Sequence, residues 1–372
     1  MAQCFDNLQL KIALSIIPKI GPRLVRRLVA YTGGIEAVFK ENKRMFEKIP
    51  GIGSGKASLI KDGSDFLRIA EKEVEYIMKN DITPFFYLDI NYPVRLRECE
   101  DAPIIFFMKG NVDLNATKVI SVVGTRKASE YGRACTREII KYLGENYPEI
   151  IVVSGLAYGI DIAAHKAALI NNLSTVAVLA HGFDYIYPSL HTQYAKKILD
   201  QGALVTEFLG NRKPDPGNFV SRNRIIAGLA DATVVIESAK KGGSLITADI
   251  ANSYNRDVFA VPGRANDSHS QGCNNLIKYN GAALIERGLD VEYAMGWHKE
   301  KKKPHATQKS IFVDLDPEEQ KIISFLKEKG DSSLDEICIS LKMPVAKVSS
   351  CLLTLEFNGL VRPLPGRYFT GI

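Results

Sequence analysis

The stretch FVSRNRIIAGLA, residues 219–230, sets Arg222 and Arg224 on either side of Asn223. Two guanidiniums and an amide within three positions are groups that hold phosphate or carboxylate oxygens. Pro214 and Pro216 keep the approach extended, so the cluster is expected at a helix start, where free amides and the dipole favour an anion. The competing reading pairs Arg222 or Arg224 with Glu207 or Glu237. A second stretch, IESAKKGGSLITAD (236–249), offers charge from Lys240 and Lys241 and room for a close backbone approach at Gly242 and Gly243. Ser244 adds a hydroxyl, and Thr247 and Asp249 fall on the helix that follows. In a third, VVGTRKASEYGR (122–133), Gly124 permits a tight turn, Thr125 brings a hydroxyl and Arg126 a planar fork. The phosphate held could belong to a small nucleotide about to be cleaved, to a cofactor, or to a nucleic-acid backbone.

A fourth stretch narrows that choice. VSGLAYGIDIAAHKAAL (153–169) places Ser154 and Gly155 where a strand ends, and Gly155 and Gly159 are spaced G-x-x-x-G. A dinucleotide site needs G-x-G-x-x-G and an acid on the next strand, and neither is present, so a nicotinamide or flavin cofactor is disfavoured. Asp161 reads as a helix cap and His165 as a packing residue. Phe183, Tyr185 and Tyr187, in LAHGFDYIYPSLH (179–191), could stack on bases or pack beneath the loop. No Ser-His-Asp set, Walker loop or metal-ligand spacing offers other chemistry, and no cofactor is expected.

The elements that must position these loops are legible as alternation. Apolar β-branched runs at 118–124, 149–155, 174–180, 203–208, 232–238, 257–263 and 282–285 are separated by helical stretches. Strands apolar on both faces with helices between them predict an α/β fold, a parallel sheet covered on both sides. Ligands of such sheets bind at the carboxyl ends of the strands, where all four stretches fall. This Rossmann-like zone is taken as residues 86–297. Residues 1–85 read as helical and contain IPKIG (17–21) and IPGIG (49–53), each followed by a basic residue, Arg23 or Lys56. They look like helix-hairpin-helix turns that could take a DNA phosphate, or else like plain connections in a small bundle. Residues 298–310 (HKEKKKPHATQKS) read as a charged linker. Residues 311–372 read as three helices and a two-strand wing, a winged-helix domain. Its third helix offers only Lys347 to solvent, which favours a protein-contact or structural role over base reading.

Composition sets the outer limits. The chain has 372 residues, 46% hydrophobic and 24% charged, with a formal net charge of +6, enough for two or three domains and compatible with a polyanionic partner. Six scattered cysteines without a C-x-x-C pair suit a reduced, cytoplasmic protein. There is no apolar run of about 20 residues and no basic-then-apolar start, so neither membrane span nor signal peptide is expected.

Taken in order, VVGTRKASEYG, VSGLAYGIDIAAHKAAL, FVSRNRIIAGLADATVVIESAKKGGSLITADIA and VFAVPG resemble the signature blocks of the DprA/Smf family, the DNA-processing protein A of bacterial natural transformation. The resemblance runs from Tyr92 to Ile285, with NYPVRLRECEDAPIIFFMKG similar to the family's lead-in. It implies binding of single-stranded DNA without sequence preference, an extended Rossmann domain that forms a homodimer, and delivery of the strand to RecA recombinase. By motif it assigns phosphate holding to Gly124, Thr125 and Arg126, to Arg222, Asn223 and Arg224, and to Gly242, Gly243 and Ser244, with Phe219 as a stacking residue. One departure is Ser189, where the family often carries a basic residue after Tyr-Pro. The rival resemblance is to the lysine-decarboxylase-like (LOG) phosphoribohydrolases, whose loop reads Pro-Gly-Gly-x-Gly-Thr-x-x-Glu. Leu245 and Ile246 stand for its Gly-Thr and Asp249 for its catalytic Glu, which removes the hydroxyl and shortens the acid. A sensor of a small nucleotide in the same pocket is the third alternative.

Overall fold

The computed structural model describes residues 2–62, 64–297, 315–364 and 368–371, which form two compact units divided at Trp297 and His298. The charged run expected as a linker, 298–310, lies outside the described residues.

The first unit is organised on a nine-stranded sheet. Its strands are β1 (Thr83–Phe86), β2 (Ile105–Gly110), β3 (Val119–Val123), β4 (Ile151–Ser154), β5 (Thr175–Val178), β6 (Ala203–Thr206), β7 (Ala232–Val235), β8 (Asp257–Ala260) and β9 (Ala283–Leu284). They lie in the order β1-β2-β6-β5-β4-β3-β7-β8-β9. From β6 to β9 every neighbouring pair is parallel, as expected. The two outermost strands on the other side, β1 and β2, run antiparallel and were not foreseen. The expected parallel sheet thus gains an antiparallel edge of two further strands.

Alternate residues along the central strands feed opposite cores, which is why these runs are apolar throughout. Val119, Val123 and Val153 face a core closed by Ile225, Ile226 and Leu229 of the helix Pro216–Leu229 and by Ala248 and Ala251 of Gly243–Ser253. Ile120, Val122 and Val152 face the other way, onto Ile139, Ile140 and Leu143 of Glu130–Asn146 and Ala164 and Ala167 of Ile160–Ile170. The winding fixes where a ligand fits. From β3 the chain steps outward through β4, β5 and β6, then returns to the far side of β3 to lay down β7 and β8. The loops after β3 and β7 therefore part from each other, leaving a crevice at the carboxyl edge.

The front segment is helical, as read, with six helices between Ala2 and Lys79. It does not stand apart from the sheet at residue 85: Ile12, Leu28, Phe46 and Ile77 share one core with Phe86, Ile105 and Phe107 of β1 and β2. The alternating aromatics of β2 explain this, since one set packs under the sheet helices and the other receives the front bundle. The second unit has helices Pro317–Lys329, Leu334–Leu341 and Val345–Phe357 and a small sheet of β10 (Ser332–Ser333), β12 (Tyr368–Gly371) and β11 (Val361–Leu364) in that order. Capping boxes Asp316/Glu319 and Ser333/Glu336 start its first two helices.

Candidate nucleic-acid interface

At the switch point a cleft of about 340 Å³ opens between the loops after β3 and β7, with the helix Pro216–Leu229 along one wall. Gly124, Thr125 and Arg126 line it from β3, Phe219, Arg222 and Asn223 from the helix, and Lys241, Gly242, Gly243 and Ser244 from the β7 loop. Ten of the fourteen candidate residues thus meet around one space.

The β3 loop is held from below so that its side chains stay available. The Thr125 amide donates to the Glu237 carbonyl at 2.8 Å, and the Ile160 amide donates to the Thr125 carbonyl at 3.2 Å. Gly159 sits under this turn at φ +77°, and a methyl group there would lie 2.0 Å from the Thr125 carbonyl oxygen. Glu237, buried at 1% exposure, accepts the Ser129 amide at 2.9 Å and the Ser129 hydroxyl, fixing the start of the helix Glu130–Asn146. Glu237 is therefore spent on the helix start, not on an arginine. Arg126 is exposed, makes no ion pair among the described residues, and lies over the Phe219 ring at 5.1 Å from its centroid. Tyr187 meets the same ring edge-on, with centroids 5.6 Å apart, and is half exposed. Ser244 lines the cleft with a buried hydroxyl that has no partner in the chain. A buried polar group without a partner is costly unless something else satisfies it.

The two arginines of the Arg-Asn-Arg run part company. The helix begins at Pro216, capped by the Asp215 carboxylate on the Gly217 amide, so the run sits in mid-helix and not at its start. Residues two apart on a helix point to nearly opposite sides. Arg222 turns to the cleft floor: 3% exposed, it donates from Nη1 to the Val178 carbonyl at 2.8 Å. Arg224 turns away, does not line the cleft, and forms an ion pair with Glu207, both side chains about 85% buried. Of the two acids considered as internal partners, Glu207 is the one used, and the expectation of two free cations at a helix terminus is corrected accordingly.

Arg222 lies near Asp161, the residue read only as a cap, and acts on it through charge without a direct ion pair among the described residues. Burial pushes the Asp161 carboxyl up, while Arg222 and the amides of Ala157 and Gly155 pull it back down. Burial lowers Arg222 to about 10, against the opposing pull of Asp161. Gly155 lies beneath both: a methyl group there would sit 1.8 Å from Arg222 Nη1 and 2.6 Å from Asp161 Oδ2. Ser154 is fully buried and donates to the Val122 carbonyl at 2.7 Å. Neither Ser154 nor Gly155 reaches the cleft surface; they form its foundation. Lys240 is exposed next to Lys241 but outside the lining.

The remaining candidates settle as follows. His165 is fully buried, its Nδ1 2.8 Å from the Thr175 hydroxyl, and is a packing residue as read. Ser189 is exposed and opens a short 3-10 turn away from the cleft lining. Asp249 is exposed on its helix and does not line the cleft, while Ile246 does. In the front segment Lys56 folds back on the Gly51 carbonyl at 3.0 Å and Arg23 pairs with Glu100 at 2.8 Å. In the second unit Lys347 pairs with Glu318 at 2.7 Å. Sequence reasoning missed Asp161 as the partner of Arg222, and also the bidentate pair of Arg95 with Asp231, at 2.6 and 2.9 Å, which ties the lead-in to the start of β7. Among the described residues no group of acids, cysteines or histidines is arranged to hold a metal, and no single helix is long and apolar enough to cross a membrane.

Residues 83–295 match the family model for DNA recombination-mediator protein A, and residues 305–367 match the DprA winged helix domain. The chain belongs to the DprA/Smf family. It is 32% identical over 390 aligned residues to protein Smf of Synechocystis sp., covering 95% of this chain and 96% of that protein. It is 42% identical over 207 residues to the DNA processing protein DprA of Streptococcus pneumoniae, covering 56% and 72%. Among solved structures it is similar to DNA processing protein A of Streptococcus pneumoniae, with a TM-score of 0.64 and 31% identity over 78% of this chain and 96% of that one. It is also similar to DNA processing protein A of Helicobacter pylori, studied for its single-stranded DNA binding mode, with a TM-score of 0.52 and 25% identity over 58% and 96%. The two family domains thus fall one in each compact unit, the sheet from residue 83 onwards and the winged helix.

Proposed function

We propose that this DprA/Smf protein holds single-stranded DNA in the carboxyl-edge cleft without reading its bases and without cutting it. The observation that carries the reading is Arg126, exposed and without an ion pair among the described residues, laid over Phe219 in the same cleft as the partnerless Ser244 hydroxyl. A cation, a donor and a ring face are what a sugar-phosphate backbone with a stacked base requires, and none of them discriminates among bases. Gly243 leaves open space for that backbone, with no atom within 4 Å of where its methyl would be. The Helicobacter pylori relative supports the same ligand.

A holding role fits the acids better than hydrolysis does. Asp249, where the LOG-type enzymes place their catalytic Glu, is on the helix surface outside the lining. Asp161 is in the lining but already engaged by Arg222 and two amides. The physiological role that follows is protection of incoming or processed strands in the cytoplasm and loading of RecA recombinase during natural transformation and recombination. Homodimerisation is assigned to the β9 edge, where Tyr279, Leu284 and Leu289 are exposed together. The exposed Leu353 and Phe357 of the winged-helix unit, one helical turn apart, suit a protein contact.

Fluorescence anisotropy with labelled oligo-dT over a salt series tests the reading. Tight, salt-sensitive binding is expected, and Arg126→Ala should flatten the slope of log K against log salt by about 0.7, the share of one single-strand phosphate. Release of base from a nucleoside monophosphate, with no oligo-dT bound at low salt, would overturn it.

A further inference from the structure

A second cleft, of about 750 Å³, opens on the same sheet edge one strand further out, where the loop after β8 meets the start of the helix Glu130–Asn146. Tyr131 forms one wall with a half-exposed ring, and Arg264 and Asn266 stand opposite on the β8 loop. Nothing in the role of the first cleft requires this arrangement.

Three observations connect the two. The β3 loop lines both: Arg126 lies in the first cleft and Ser129 in the second, three residues apart, hence at most about 11 Å between Cα atoms. Behind the two linings, the Ser238 carbonyl accepts the Gly272 amide at 2.8 Å, two residues past Ser270 of the second cleft, and the Ser238 side chain packs against Gly242 of the first. Between them lies Lys127, exposed and without an ion pair among the described residues. Arg264 is likewise exposed and without an ion pair among them. The carboxylate in the lining, Asp267, is already spent: Oδ1 takes the His269 amide at 3.0 Å and Oδ2 the Ser270 hydroxyl at 3.1 Å. Tyr131 keeps its ring in place by donating its hydroxyl to the Pro262 carbonyl at 2.9 Å, and about half of the residue remains exposed.

We propose that a single strand held in the first cleft continues over Lys127 into this second cleft, where Arg264 takes a phosphate and Tyr131 stacks a base. The proposal rests on the strand-binding reading and adds a direction to it: the strand leaves towards β8, not towards β4. Arg126, Lys127 and Arg264 then form a cationic track, with Phe219 and Tyr131 as its two stacking platforms.

The test compares labelled dT oligomers of increasing length on the full chain. For oligomers long enough to span both clefts, Arg264→Ala and Lys127→Ala should each flatten the salt slope by about 0.7. Tyr131→Leu should weaken binding about tenfold, a typical worth for one stacked base, and Tyr131→Phe, which keeps the ring and loses only its tether to Pro262, should weaken it less. The shortest oligomers that bind should not distinguish Arg264→Ala from wild type. If Arg264→Ala matches the wild-type slope at every length, the second subsite is wrong while the first stands. If wild type binds no oligo-dT of any length, the strand reading itself fails.

Discussion

Two arginines four residues short of a hundred apart in sequence, Arg126 and Arg222, line one cleft and do different work. Arg222 is buried on the floor, tied to the Val178 carbonyl and facing Asp161, so its charge reaches the ligand as potential, not as contact. Removing it takes a neighbouring positive charge from the buried Asp161 carboxyl and leaves the Val178 carbonyl without its donor, which typically costs about 1–3 kcal/mol. Arg222→Gln should therefore lower the urea midpoint strongly. Arg126 is exposed and contributes little to the fold, so Arg126→Ala should shift stability by less than about 0.5 kcal/mol and read on strand binding alone. Equal destabilisation by both variants would show that this division of labour is wrong. The sequence made the cluster visible but not the division. Spacing alone placed Arg222 and Arg224 on different helix sides; which side faced the ligand depended on Glu207, seventeen residues earlier, arriving from β6 by way of the sheet.

At the scale of elements, the parallel strands β3 to β8 were legible because each is a short apolar run buried on both faces, and β9, exposed at both residues, only through the apolar run at 282–285. β1 was not, since Pro84 interrupts TPFF, and β2 was absorbed into the lead-in; their antiparallel pairing is made by partners distant in the chain. The loops between elements yield a sharp contrast. Gly159→Ala would push a methyl group to 2.0 Å from backbone at a positive φ, whereas Gly243→Ala meets nothing within 4 Å. Thermal unfolding should show a large loss for the first and almost none for the second, whose effect should appear only in oligo-dT affinity. Two similar Tm values would contradict the close packing of the β3 and β4 loops.

Helix docking also carries a pH dependence. His165 fastens the helix Ile160–Ile170 to β5 through the Thr175 hydroxyl, which itself donates to the Val152 carbonyl at 2.8 Å, so Nδ1 must donate and Nε2 is left bare. Burial, with Arg222 and His191 nearby, holds its pKa down to about 3. The unfolded imidazole takes a proton below about 6.5 and the folded one does not, so stability falls as pH drops from 6.5 towards 3, by up to ~1.4 kcal/mol per pH unit. Urea titrations at pH 7 and pH 5 should show the loss, and His165→Gln should reduce it by about one proton. An unchanged slope in that variant would mean that the proton is taken up elsewhere, His181 being the next candidate because burial lowers its pKa too.

For the whole molecule, the sheet closes on one side and stays open on the other. At the β1 end, the front bundle shares its core with β1 and β2 and covers them. At the β9 end, both residues of a two-residue strand are exposed, and Tyr279 and Leu289 flank them at 73% and 42% exposure. An exposed apolar strand edge is a template for pairing with another chain. A second copy, related by a two-fold axis, would cover it with the same surface. That geometry puts one cleft on each protomer and lets a dimer engage two segments of one strand, which raises avidity without any new contact to DNA. Leu284→Lys with Leu289→Lys should therefore bring the sedimentation mass from two chains to one. Short oligo-dT, which fills one protomer, should bind the variant as it binds wild type, while long oligo-dT should bind it at least tenfold more weakly. A monomeric wild type would remove the dimer from the account and leave each cleft to act alone. A dimer that survives both lysines would move the interface to another face.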